Sequence, residues 1–427
     1  MVFKQKINNI RKSKDGKVLI ENFLSLSFLQ VAGYVFPLIT LPYLTRVIGV
    51  DKFGEIAFAS AIIVWFQTVS DWGFNFTATR DIAKNRDDKE KVSEIFSNVM
   101  CARILLMLLS FVVLILLIII IPKFNEMYVL LLVTFGLVFG HIMFPEWLFQ
   151  GLEKMKYITI LTVLAKLLFT IAVFVFIKEK SDYILQPLFT TLGFIVSGII
   201  AMYFIIVRFR IRFYKPSFRS IKITIKNSND VFINTLMPNL YNNFSMLLLG
   251  FLGGATSNGI YDAGKKLIPA FTNIITVISR TFYPFLARRM DKHNVFAKLI
   301  LSLSFLISLS LFIFAPFVID TLYSSEFSNA VMVSRITAFS VFFLTLSKVY
   351  GTNYLIINGF DKQCRKITTI VSIIGFFISF PLIYFFNYIG ASVVFMITST
   401  MLGTGLMLQS KKIKHQKKHN YNDKVFI

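Results

Sequence analysis

The chain has 427 residues, 56% hydrophobic and 16% aromatic, with a mean hydropathy of +0.69. Only 16% are charged, against about 25% in a soluble domain, yet 45 Lys and Arg face 22 Asp and Glu for a net charge of +23. A soluble globular fold is excluded, and the basic excess belongs either to membrane topology or to nucleic acid, according to where it sits.

The N-terminus is basic (Lys4, Lys6, Arg11, Lys12, Lys14, Lys17), and the uncharged run after it extends from Asn22 to Thr45. That run exceeds the core of a signal peptide and carries no small-x-small cleavage site, so it reads as a retained first span over about 20 to 44. The second span, about 54 to 79, places Gln67, Asp71 and Asn75 at i, i+4 and i+8 on one helix face. Such a polar stripe fits a cavity wall with a role in coupling or passage, or a buried helix-helix hydrogen bond; Arg80 follows it toward the cytoplasmic interface.

Spans three to six are expected at about 98 to 121, 127 to 149, 157 to 177 and 183 to 207. Lys166, alone in the fifth, faces either a cavity or a carboxylate such as Asp71 or Glu146. The basic segment Arg208 to Lys226 follows. Span seven, about 230 to 252, carries Asn234, Asn239 and Asn242, and span eight, about 259 to 286, carries Asp262, Lys265, Lys266 and Arg280. Asp262 and Lys266 can pair across one turn, while Lys265 has no local partner. Lys266 and Arg280 are 14 residues apart, about 21 Å along one helix and within about 40° around it, so one face would present cations at two depths. Snorkelling of these side chains to the two interfaces is the alternative.

Spans nine and ten are expected at about 298 to 319 and 329 to 357. Arg335 and Lys348 in the tenth cannot share a cavity unless the helix breaks, and Lys348 is the deeper. Ile367 to Ser410 is an uncharged run of 44 residues, about 66 Å as helix and twice the hydrocarbon thickness. It must fold back, with Asn387 and Gly390 marking the turn between spans of about 366 to 386 and 389 to 409.

Orientation follows from Lys and Arg alone. The termini and the even-numbered connections hold 33 of them, the odd-numbered connections only five (Arg46, Lys52, Lys123, Lys178, Lys180), and seven lie at span depth (Arg103, Lys166, Lys265, Lys266, Arg280, Arg335, Lys348). Both termini are therefore expected in the cytoplasm, and nucleic acid drops out as a partner. The expected organisation is an N-terminal six-helix bundle (1–207), a basic connector (208–229), a second six-helix bundle (230–410) and a basic tail (411–427). Shared features of the halves, a polar residue and Pro in each first span and a Gly opening each second (Phe53-Gly54, Asn258-Gly259), suggest parallel repeats.

Ionisable groups at membrane depth cost about 2.5–3.5 kcal/mol each, so by default they face a partner or a cavity. The candidate substrate-binding cations are Lys265, Lys266, Arg280, Lys348, Arg46 and Arg80. The candidate coupling or polar lining residues are Asp71, Gln67, Asn75, Asp262, Asn234, Asn239 and Asn242. Cations outnumber acids, which suits an anionic substrate such as a phosphate or pyrophosphate. Cys101 and Cys364 have no ligand or redox spacing, and no zinc set or phosphate-binding Gly-rich loop is present, so neither metal nor cofactor is expected.

Several segments, in order, resemble the bacterial polysaccharide-repeat flippases of the Wzx type, in the larger group that includes multidrug and toxin extrusion (MATE) transporters and the lipid II flippase. They are Pro37-Leu-Ile-Thr-Leu-Pro-Tyr-Leu-Thr-Arg-Val-Ile-Gly49, Phe53-Gly54, Asp71-Trp-Gly-Phe74 with Arg80, and Pro145-Glu-Trp-Leu-Phe-Gln-Gly-Leu-Glu-Lys-Met-Lys156. The second half is similar more loosely, through Ile260-Tyr-Asp-Ala-Gly-Lys-Lys266 and Pro284-Phe-Leu-Ala-Arg288. Arg46, Asp71 and Arg80 fall in those recurring segments.

The resemblance implies an all-α MATE-like transporter of about 12 helices in two V-shaped bundles. It would move an undecaprenyl-pyrophosphate-linked oligosaccharide to the periplasmic leaflet of the bacterial inner membrane for O-antigen-type lipopolysaccharide or other surface polysaccharide. Partners would be that lipid, membrane lipid, and the polysaccharide polymerase and chain-length machinery. A multidrug extrusion transporter of the same fold is the first alternative, and a membrane polysaccharide polymerase or ligase the second. The first would want an acidic cavity, and the second usually needs a large periplasmic loop, whereas the connections here are short. A facilitator-superfamily sugar transporter lacks its signature between Arg80 and Lys91.

Overall fold

In an apolar medium the chain can satisfy its backbone N–H and C=O groups only internally, and helix does so locally. The computed structural model describes residues 14–425, with side chains from Glu21 except at 22–24, 26, 27, 34, 241, 284, 415 and past 416. The expected cytoplasmic placement of residues 1–13 and of the last two lies outside the described residues. Among the described residues there is no strand.

The helices of the first half are α1 (Lys14–Asp71), α2 (Phe74–Lys84), α3 (Lys89–Ile120), α4 (Pro122–Glu126), α5 (Tyr128–Met143), α6 (Glu146–Gly151), α7 (Met155–Phe176) and α8 (Leu185–Tyr203). The second half has α9 (Phe218–Leu236), α10 (Asn239–Asn242), α11 (Phe244–Lys265), α12 (Leu267–Arg288), α13 (His293–Leu322), α14 (Ala330–Ala338), α15 (Ser340–Ser347) and α16 (Asp361–Val425), with a π-helical stretch Lys348–Ile356 after α15.

Seven helical runs among the described residues are long and apolar enough to cross a membrane: Lys89–Ile120, Tyr128–Gly151, Met155–Phe176, Lys180–Arg208, Met290–Leu322, Ala330–Ile356 and Asp361–Lys414. The last has 54 residues, about 80 Å of helix against about 30 Å of hydrocarbon, so it has the length of two crossings. Its interruption is at Asn387 (φ 53°, ψ −130°), where the turn was expected.

Several expected spans are interrupted rather than continuous. The second is broken at Trp72 and Gly73, both with positive φ (41° and 76°). The seventh is broken at Met237–Pro238 and again at Asn243, since proline lacks the N–H and clashes with the preceding turn. The eighth is divided at Lys266 between α11 and α12. Lys266 itself keeps helical dihedrals (φ −56°, ψ −29°).

Contacts divide the chain into two compact units: residues up to Ile48 with Ile62–Thr235, and Gly49–Ala61 with Leu236 onward. The second unit contains a matched pair of helix breaks. Gly49 (φ 73°, ψ 176°) interrupts α1 and Gly254 (φ 78°, ψ −175°) interrupts α11, in a backbone region essentially closed to residues with a Cβ. Five residues after each break a second glycine, Gly54 or Gly259, closes against the opposite segment. A Cβ on Gly54 would fall on the Ala255 carbonyl, and one on Gly259 on the Val50 carbonyl. Around this crossing the Val50 N–H donates to the Glu326 carboxylate at 2.9 Å and Thr256 donates to Asp51.

Overpacking at so close a crossing costs about 1–3 kcal/mol. Gly259→Val should therefore lower the melting temperature of the purified protein, and Gly54→Val likewise. Wild-type melting of both variants would mean that the two backbones are not in contact.

Candidate functional site

In the first unit, α1 ends at Asp71 because the next two residues leave helical space. Trp72 is held in its positive-φ conformation by stacking on Phe232 of α9 (centroids 3.9 Å apart, 4° between planes) and by donating Nε1–H to Asn229 at 2.9 Å. Gly73 follows because a Cβ there would strike Val231. The break opens a cavity of about 270 Å³ lined by Val64, Gln67, Thr68, Asp71, Gly73, Asn75, Phe76 and Thr235. The expected stripe Gln67, Asp71, Asn75 is thus brought together in one cavity, across a break rather than along an unbroken helix.

Asp71 does not face this cavity as a free charge. Arg103 of α3, 3% exposed at its side chain, donates Nη2–H to Asp71, while its buried Nε has no partner. The charges of Asp71 and Arg103 also reach His141 and Glu146, and that of Glu146 reaches Lys166. Lys166 itself donates to the Gly33 carbonyl at 3.3 Å. Arg46 and Asn234 are exposed, and Arg80 is exposed and paired with Asp81 at 2.9 Å.

In the second unit, Asp262 and Lys266 pair at 2.9 Å, and the Lys266 ammonium also lies 5.7 Å from the Phe53 ring centroid. Lys265, with no carboxylate beside it in sequence, sits 4.0 Å from the Phe395 centroid and 5.4 Å from that of Tyr261, where ring faces attract a cation. Asn239 accepts from Asn243 at 2.8 Å, and Asn242 lies half-buried in the same short turn of helix.

Arg280 and Lys348 are placed differently. Arg280 is exposed on α12, Lys348 is half-buried at the head of the π-helical stretch, and the positive charge of Arg280 acts on Lys348. Among the described residues neither has an ion-pair partner. Arg335, expected to diverge from Lys348, lies 5.7 Å from the Phe312 ring centroid. Among the described residues no group of His, Cys, Asp and Glu is arranged to hold a metal.

A family model described as "Polysaccharide biosynthesis protein" matches residues 19–290. The chain is 29% identical over 398 residues (91% of this chain and 96% of the other) to a protein of Escherichia coli (strain K12) named provisionally as an O-antigen transporter. It is 25% identical over 402 residues to a similarly named protein of Shigella dysenteriae, covering 90% and 97%. By fold it is similar to an inward-facing multidrug resistance MATE family transporter of the MOP superfamily (TM-score 0.71, 14% identity, 93% of this chain and 99% of the other). It is equally similar to the lipid II flippase MurJ in an inward closed conformation (TM-score 0.71, 14% identity, 92% and 87%).

Removing one partner of a buried ion pair leaves the other charge uncompensated, at about 3–5 kcal/mol. Arg103→Ala should therefore destabilise the protein by about 3 kcal/mol, and Asp71→Asn with Arg103→Met should recover most of that. Melting curves of the two variants that coincide would refute the pairing as the stabilising contact.

Proposed function

Because the chain belongs to the polysaccharide biosynthesis protein family of Wzx-type membrane transporters, we propose that it is a flippase for a lipid-linked oligosaccharide. Its cargo in this reading is an undecaprenyl-pyrophosphate-linked repeat unit, carried from the cytoplasmic to the periplasmic leaflet of a bacterial inner membrane. The observation that carries this is the Arg280 and Lys348 pair, one exposed on α12 and one half-buried at the head of the π-helical stretch, on segments joined by the Ser279 and Asn353 hydrogen bonds. A pyrophosphate would replace their mutual repulsion with attraction, and the cations would replace the water that the headgroup loses.

Lys265, beside the Phe395 and Tyr261 rings, adds a further basic residue to the same unit. The cavity of Gln67, Thr68, Asn75 and Thr235 offers hydroxyl and amide groups of the kind that hydrogen-bond sugar. Membrane potential supplies part of the drive without ATP: with the cytoplasm negative, outward movement of an anion gains about 2.3 kcal/mol per charge per 100 mV. Six-helix bundles at 1–207 and 230–410, with both termini cytoplasmic, complete the proposed arrangement, and the polymerase and chain-length machinery would receive the product. The drug-extrusion reading is weakened by Asp71, whose charge is already answered by Arg103.

The test is restoration of surface polysaccharide in a flippase-null strain. Arg280→Ala and Lys348→Ala should each abolish it at normal protein abundance, and Arg280→Lys should retain part. Full activity of both Ala variants would overturn the site.

A further inference from the structure

The segments that carry the two cations are joined by a buried hydrogen-bonded clasp. Ser279 immediately precedes Arg280 on α12, and Asn353 lies in the π-helical stretch that Lys348 opens. The Ser279 hydroxyl donates to Asn353 Oδ1, and Asn353 Nδ2 donates back to the Ser279 carbonyl at 3.1 Å. Asn353 is fully buried and Ser279 nearly so. Both ends of the amide are therefore engaged by one residue of α12.

The π geometry is what aligns the clasp with Lys348. With about 4.4 residues per turn, a π-helix leaves residue 353 about 50° around from 348, whereas an α-helix at about 100° per residue would leave them about 140° apart. Nine residues in π form are unusual, and such segments recur at functional sites. Side chains from other elements hold this one in place. His293 Nε2 donates to the Val349 carbonyl at 3.1 Å, and the Cys364 thiol approaches the Gly351 carbonyl at 3.8 Å.

Like charges left without an anion push apart, and this clasp ties their two segments together. We propose that Asn353, acting with Ser279, is a positioning residue that sets the spacing of Arg280 and Lys348 to that of two linked phosphates. The proposal rests on the reading of the pair as a pyrophosphate site. Asn353 touches no substrate in this scheme, and its effect passes through the two cations.

The measurement is binding of inorganic pyrophosphate and of orthophosphate to the purified full-length protein. The variants are Ser279→Ala, Asn353→Leu, Ser279→Thr and the double variant Arg280→Ala/Lys348→Ala. Ser279→Ala and Asn353→Leu should weaken pyrophosphate about tenfold, the equivalent of one or two hydrogen bonds, with orthophosphate little changed, because only a ligand bridging both cations senses their spacing. Ser279→Thr, which keeps the hydroxyl, should keep the wild-type preference. An unchanged preference in Ser279→Ala and Asn353→Leu, with binding lost in the double variant, would overturn the positioning role while leaving the site. An equal loss of both anions together with a lowered melting temperature would reduce the clasp to a structural one and overturn it too. Wild-type pyrophosphate binding by the double variant would overturn the site itself. Should Asn353→Leu fail to fold, Ser279→Ala decides.

Discussion

A charge at membrane depth must be answered by something, and this requirement organises both units. Insertion costs of about 2.5–3.5 kcal/mol per group are met wherever a partner is available. Asp71 is answered by Arg103, Asp262 by Lys266, Lys166 by a backbone carbonyl, and Lys265 by two ring faces. Once these assignments are made, Arg280 and Lys348 stand out because each is answered only by another cation. In the proposed reading, an anion answers both.

The same groups coincide with interruptions of the helices. Asp71 ends α1 at Trp72 and Gly73, Asn239 and Asn242 follow the break at Pro238, Lys265 and Lys266 stand at the junction of α11 and α12, and Lys348 opens the π-helical stretch. Irregular backbone at membrane depth survives only where protein or a water-filled cavity satisfies the freed groups. Polar side chains and helix breaks therefore gather at the same places, each making the other tolerable. The glycine pairs Gly49 with Gly54 and Gly254 with Gly259 show the complementary case, where a break is made safe by backbone contact alone.

Much of this was legible in the sequence, and the exceptions have physical causes. Hydropathy and run length exposed the all-α membrane class, and the overlong run after Ile367 required a turn that the structure puts at Asn387. The i, i+4 rule anticipated Asp262 with Lys266, and the i+8 stripe anticipated the cavity at Asp71. Asp71 and Arg103 lie at similar distances from the same ends of adjacent expected spans, so their pairing could have been read from depth. Lys265 on Phe395, and Asn353 on Ser279, could not: each joins residues 74 or more positions apart with no periodic signature.

The stack of Trp72 on Phe232 has an optical consequence. The chain's three tryptophans are Trp65, Trp72 and Trp147, all in the first unit, and the second unit has none. Trp65 and Trp147 bury their indole N–H groups without a partner, whereas Trp72 is pinned to α9 by its ring and its N–H. Tryptophan emission of the unmodified protein thus originates from one unit, with Trp72 as the emitter whose surroundings alter whenever α9 shifts against the end of α1. The protein contains its own fluorophore at the break beside Asp71, and the unit that holds Arg280 and Lys348 is dark at the same wavelength.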